Sequence, residues 1–186
     1  MAAVRVLYAS AHHSTQEIAD RIGERLRLRG HAVEIQALRE PSDGQWRSAG
    51  DVLVLGSAIH DGAWLPAAEA FVRNNTDRFG SRTTWMFSVG MTAALPGPLR
   101  LLAEHAVQPR IAALVDIVRP RDHRRFSGVI RRDHFDRKGA LLFRLLGCRY
   151  GDHRDWTAID AWADGIVQEL DVSRSGEPDG GPEGGL

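Results

Sequence analysis

Three short stretches hold residues whose types and spacing suit ligand chemistry. The first, "SAHHST" over 10–15, puts three hydroxyls, on Ser10, Ser14 and Thr15, beside His12 and His13. Helical periodicity starts at once after it, so these hydroxyls stand next to backbone N–H groups that no helical carbonyl can satisfy. Aligned donors at a helix start suit a phosphate monoester and need no cation. The stretch lacks the glycines of a dinucleotide fingerprint and the lysine of a P-loop. A purely structural reading is equally available: Ser14-Thr15-Gln16-Glu17 fits a capping box, with Ser14 as N-cap and Glu17 as its partner. The second stretch, "GSAIHDGAWLP" over 56–66, is long for a strand-to-helix turn and carries Gly56, His60, Gly62 and Trp64. Glycines there let the backbone come close to a flat ring; Trp64 either covers a ligand or caps the core. The third, "SVGMTAALPG" over 88–97, offers Ser88, Gly90 and Thr92 before a Pro-Gly turn.

These stretches need elements to hold them. Apolar runs at 4–10, 51–59, 83–90 and 110–120 read as buried strands, and the alternating 31–38 as another. Helical spacing runs from Thr15 to about Arg29, over 65–75 after Pro66, over 97–107, over 139–147, and over 155–170. In the last helix Trp156, Ile159, Trp162, Ile166 and Leu170 are expected on the buried side. The segment 44–51 reads as a loop, and 171–186 as a disordered Gly/Pro-rich tail. Strands alternating with helices, and apolar throughout, predict an α/β fold: a doubly wound, five-stranded parallel sheet of order 2-1-3-4-5 over residues 1–170. Such sheets bind ligands outside the carboxyl ends of their strands, where the three stretches would lie.

The 186 residues carry no net formal charge, which hides an uneven spread. Residues 119–138 hold seven arginines and the single lysine, Lys138, against three aspartates, about +5 (8 − 3), so the rest sums to about −5. This basic segment opens an expected insertion over 119–155 near the last strand. It interleaves Phe126, Phe135 and Phe143 with Arg124, Arg125, Arg131, Arg132 and Arg137. Guanidinium groups there could hold the carboxylates of a flat apolar substrate. The apolar "KGALLFRLLG" could instead lie on an anionic bilayer, or the insertion could pack on its own protein or in a homodimer. One short basic segment in a neutral chain argues against nucleic acid. The eight histidines include no H-E-x-x-H pair, so no metal site is expected. Cys148 is the one cysteine, which excludes an internal disulfide, and no apolar run reaches the length of a membrane span. A cytoplasmic protein, in contact at most with the inner face of the cell membrane, is the expectation.

Taken together, "YASAHHSTQEIADRIGERL", "VLGSAIHDGAWLPAAEAFV" and "FSVGMTAALPG" resemble, in order, the three flavin-binding loops of the flavodoxin superfamily. The basic aromatic insertion and the helix at "HRDWTAIDAWADGI" are similar to those of its bacterial quinone-dependent protoporphyrinogen oxidase family. The resemblance covers about 1–170. It implies a flavodoxin-like fold and a flavin mononucleotide (FMN) whose phosphate sits on Ser10, His12, His13, Ser14 and Thr15. It implies that Ala58, Ile59, His60 and Trp64, with Ser88, Val89, Gly90 and Met91, border the flavin ring. It implies an FMN-dependent oxidoreductase passing electrons from a porphyrinogen-like anionic substrate, held by Arg124, Arg125, Arg131 and Arg132, to a quinone. No acid or base residue is assigned. Two departures stand out: His13 occupies a region where the family has a glycine, and the third loop lacks the aromatic that many small flavodoxins stack on the ring. Electron-carrier flavodoxins are strongly acidic, unlike this chain. An electron-transfer flavodoxin docking to redox proteins, and a cofactor-less binding module on the same fold, remain alternatives.

Overall fold

The computed structural model describes residues 1–39, 52–80, 82–106 and 108–175; the loop expected at 44–51 and the end of the tail, 176–186, lie outside them. Five parallel strands form the sheet, in the order β2-β1-β3-β5-β6: β1 (Ala3–Ala9), β2 (Ala32–Ala37), β3 (Val52–His60), β5 (Thr83–Gly90) and β6 (His123–Ser127). The order matches the expected 2-1-3-4-5.

Alternation along each strand divides the core in two. Val4, Val6, Val52, Val54, Trp85 and Phe87 face α1 (Ser14–Leu28) and α7 (Trp156–Ser175), which supply Ile18, Ile22, Leu26, Ile159, Trp162 and Ile166. Leu7, Leu53, Leu55 and Met86 face α2 (Pro66–Asn74), the single turn α3 (Thr76–Phe79) and α5 (Pro109–Val118). Across the first face Arg21 makes a two-point ion pair with Asp160, at 2.7 Å for each contact, and Arg25 pairs with Asp164, tying α1 to α7. α7 runs to Ser175, past the expected end at 170. Its first residue, Trp156, is not on the buried side. It is 36% exposed, and the Arg154 guanidinium lies over its ring, 4.6 Å from the centroid. Asp155 caps the helix, accepting from the N–H of Ala158 at 2.9 Å.

The expected fifth strand at 110–120 is instead helix α5. Pro109 sits in its first turn, and Ile111, Leu114 and Val118 are buried at helical spacing. Its nearly unbroken apolar run "IAALVDIV" hides that period, because a short apolar run fits a buried strand as well. The true fifth strand lies inside the arginine-rich segment. Among the described residues β6 has a sheet neighbour on one side only, and only Phe126 of its five residues is buried. An edge strand tolerates Arg124 and Arg125 where a central strand would not.

The insertion therefore starts after Ser127. The short antiparallel pair β7 (Val129–Ile130) and β8 (Gly151–Asp152) closes its base. Between them come a 3-10 turn (Arg132–His134) and α6 (Arg137–Leu145). It has its own small core of Ile130, Phe143 and Cys148, against Ala94, with Phe135 and Tyr150 packed on it; burial pushes the Cys148 thiol pKa up. α4 (Gly97–His105) leads from β5 towards α5.

Gly56, read as a close approach to a ligand ring, serves the core. A Cβ at that position would sit inside the Phe87 ring of the neighbouring strand. Gly56→Ala should therefore destabilise the protein by about 3 kcal/mol, as overpacked cores do. Denaturant unfolding measures this, and Phe87→Leu in the same chain should recover part of the loss.

Candidate functional site

At the carboxyl end of β1 the chain turns through 10–13 into α1. His13, not Ser14, is the N-cap: its backbone is left-handed, φ 64° and ψ −22°, and its side chain caps nothing. The expected capping box does not form. Glu17 instead pairs with Arg154, whose guanidinium also grips both carboxylate oxygens of Asp152. Asp152 is held below the ordinary carboxylate range, first by that hydrogen bond. Arg154 so ties the base of the insertion to the first helix.

Without a cap, the turn keeps its donors. The hydroxyls of Ser10 and Thr15 are buried and have no hydrogen-bond partner among the described residues. The first-turn amides of Thr15 and Gln16 have no intrahelical acceptor. Buried hydroxyls are rarely left unpaired, and hydroxyls converging with free amides on a helix N-terminus are the donor set a phosphate needs. The residues present fit the phosphate of FMN. His12 stacks on His134 of the insertion, centroids 3.9 Å apart and planes within 9°. Burial, with His12 alongside, holds the His134 pKa below its ordinary value. His13 lies at the surface against Gln16, 3.3 Å away.

An open cleft of about 270 Å³ adjoins this turn. Its walls include His12 and Ser14, then Ala58, Ile59 and His60 at the end of β3, and Val89, Gly90 and Met91 at the end of β5. Eight of the expected residues thus meet in one place, as strand ends in a parallel sheet must. The far wall is one that loop-by-loop reading missed: Gly128, Val129, Ile130, His134 and Phe135 of the insertion. Its only signal was the aromatic content of the basic segment. Gly128 packs so close to Ser14 that a Cβ there would stand 2.9 Å from the Ser14 hydroxyl.

Two expected residues are drawn into the core instead. Asp61 and Gly62, both at positive φ, form the two-residue turn of a hairpin between β3 and β4 (Ala63–Trp64). Asp-Gly is a strong signal for that turn. The hairpin folds Trp64 inward, 2% exposed, so it does not border the cleft. Its indole N–H donates to the Ser88 hydroxyl at 2.8 Å. The Ser88 proton is then left for His123 Nε2, also at 2.8 Å. Burial, and secondarily the Arg125 charge, holds the His123 pKa below its ordinary value of 6.5. A neutral ring accepting at Nε2 satisfies all three groups. On the outer side of the loop, Ser57 Oγ accepts from the N–H of Leu65 at 3.0 Å and fixes the return into α2.

The four arginines assigned to a substrate do not act together. Arg124 and Arg125 line a groove of about 530 Å³ with Arg100 and His153, beside Phe126 and Trp162. Arg124 is paired with Asp122 at 2.9 Å, and Arg125 donates to the carbonyl of Ala106 at 3.1 Å. Arg132 lines a separate cleft, and Arg131 belongs to neither; its backbone N–H donates to His134 Nδ1. The groove adjoins the first cleft along the chain: Ser127 and Thr92 line one, Gly128 and Met91 the other. No cluster of three or more metal-ligating side chains occurs among the described residues, and no helix there is long and apolar enough to cross a membrane.

Two measurements follow from this geometry. A left-handed histidine costs about 1 kcal/mol relative to glycine, so His13→Gly should raise the melting temperature by about 2–4 °C. The depressed His123 pKa means that the unfolded chain binds a proton near pH 6.5 that the folded chain refuses. Stability should therefore be complete above 6.5 and decline as pH falls below it. Thermal melts against pH read this slope, and His123→Gln should flatten it.

A flavodoxin domain model matches residues 5–146, most of the chain. No curated protein sequence matches it. Among solved structures, it is similar to a short-chain flavodoxin associated with a non-canonical PDU bacterial microcompartment (12% identity, 91% of this chain and 99% of that one, TM-score 0.59). It is also similar to oxidised flavodoxin 2 from Bacillus cereus (19%, 90% and 99%, TM-score 0.57). Rubredoxin oxygen:oxidoreductase from Desulfovibrio gigas shares the fold (14%, TM-score 0.60); the match takes in 91% of this chain but only 36% of that one. At such identities the likeness carries the fold alone, whereas the family match carries the cofactor, FMN. With its strand order, its donor-rich first turn and its three converging loops, the chain belongs to the flavodoxin domain family.

Proposed function

We propose that this protein is an FMN-dependent oxidoreductase of the protoporphyrinogen-dehydrogenase type, moving electrons from a flat anionic substrate to a quinone. The observation that carries the flavin part is the pair of partnerless hydroxyls, Ser10 and Thr15, beside a cleft walled by 58–60 and 89–91. Ser10, Ser14, Thr15 and the first amides of α1 would hold the phosphate. Ala58–His60 and Val89–Met91 would flank the ring, and Phe135 of the insertion supplies the aromatic wall that the third loop lacks. When bound, FMN supplies two-electron chemistry, accepting hydride from a substrate and passing the electrons to a quinone.

The adjoining groove supports the substrate part. Arg100, Arg124, Arg125 and His153 surround an aromatic floor, with Asp155 the one acid lining it among the described residues. Guanidiniums over an apolar floor suit carboxylates carried on a flat ring. That basic surface, and the +5 of residues 119–138, favour an enzyme over a carrier that docks through an acidic face.

Titration with FMN, followed by quenching of flavin fluorescence, should give a Kd near or below about 1 μM. Ser10→Ala and Thr15→Ala should each weaken binding about tenfold, the worth of a hydrogen bond to a charged group. A protein that takes up no FMN sinks the whole reading. With FMN bound, porphyrinogen oxidation should proceed with a quinone as acceptor, and Arg125→Gln should raise the substrate KM about tenfold while kcat holds. A loaded protein that oxidises no porphyrinogen leaves an electron carrier.

A further inference from the structure

The insertion carries a second surface, apart from the flavin cleft and the groove. α6 is seated by Phe143, 3% exposed, which packs on the Phe135 and Tyr150 rings. At 100° per residue, the side opposite Phe143 presents Leu141 and Leu145, with Leu142 along one flank and Arg137 and Arg144 along the other. Leu141, Leu142, Leu145 and Leu146 are 60%, 57%, 74% and 45% exposed. Arg132 brings a third guanidinium to the cleft of about 570 Å³ beside this face, where Phe135, Leu141 and Tyr150 form apolar walls. Among the described residues the one acid lining that cleft, Asp136, is occupied in capping α6, accepting from the N–H of Gly139 at 2.6 Å.

Arg132, Arg137 and Arg144 make no ion pair among the described residues, whereas Arg5, Arg21, Arg25, Arg110 and Arg154 all do. A row of exposed leucines flanked by uncompensated guanidiniums is complementary to an anionic lipid surface: acyl chains for the leucines, phosphates for the arginines. It suits a second copy of the chain poorly. A nine-residue helix offers less than the roughly 800 Å² per partner of a stable interface, and a two-fold axis would set these cations against one another.

We propose that α6 and the Arg132–Arg137–Arg144 cleft dock the protein on an anionic bilayer, leucines in the interface and lipid phosphates among the guanidiniums. Phe135 lines both this cleft and the flavin-site cleft, so docking brings the latter to the membrane edge. The docking itself does not depend on the flavin reading.

The test is flotation of the full chain with vesicles of phosphatidylcholine alone and of phosphatidylcholine mixed with phosphatidylglycerol. Binding is expected to the mixed vesicles only, weakening as salt rises. Arg132→Gln, Arg137→Gln and Arg144→Gln together should lower it about a hundredfold, and each alone about fivefold. Leu141→Asp with Leu145→Asp should abolish it. All these side chains are exposed, so circular dichroism and FMN uptake should match the parent, and the single variants serve if a multiple one misfolds. Absence of binding to the mixed vesicles at low salt overturns the proposal, as does a triple variant that binds like the parent. Two other results also overturn it: a dimer dissolved by the leucine variants, and saturable inorganic phosphate binding, each without vesicle binding.

Discussion

A parallel sheet has no solvent face. Its strands must be apolar on both sides, and each crossover must carry a helix over one face or the other. In this chain that constraint produces two cores, one under α1 and α7 and one under α2, α3 and α5. It also sends the carboxyl ends of β1, β3 and β5 to one edge, where the backbone leaves the sheet with its amides unpaired. The candidate site is a consequence of that arrangement. Apart from the His60 imidazole, 58–60 and 89–91 hold no acid, base or nucleophile, yet the sheet register sets Ser57 beside Ser88 and Ala58 beside Val89, so the loops that follow share a cleft.

At the turn after β1 the donors of the helix start are left without local partners. A capping box would have satisfied its first amides, but Glu17 is taken by Arg154 and the N-cap position falls to a left-handed histidine. The hydroxyls of Ser10 and Thr15 are left buried and without a partner among the described residues. Buried hydroxyls also lack partners elsewhere, at Thr84 for one, but at this turn they coincide with a left-handed residue, a helix start and the carboxyl end of β1. The insertion stabilises this same turn from outside, through the Arg154 pairs, the His12–His134 stack and the approach of Gly128 to Ser14. It is therefore part of the site's architecture as well as a surface of its own.

The sequence by itself determined most of the fold. Apolar runs separated by helical spacing located β1, β2, β3 and β5 and most of the helices, because burial on both faces writes hydrophobicity directly into composition. It also located the turn after β1 and the two loops that line the cleft, since their position follows from strand order. Tertiary structure decided what periodicity leaves ambiguous. An apolar decamer became α5, with Pro109 in its first turn, while the charged 123–127 became the edge strand, where one-sided pairing tolerates arginines. Burial, a long-range property, took Trp64 and Ser88 out of the site and into a hydrogen-bonded core with His123. Gly56 turned out to make room for Phe87, thirty-one positions along the chain but adjacent across the sheet. The far wall of the cleft was decided in the same way, because only folding brings 128–135 back over 10–14. Spacing along the chain carries information about neighbours within an element; contacts between elements exist only once the sheet has been assembled.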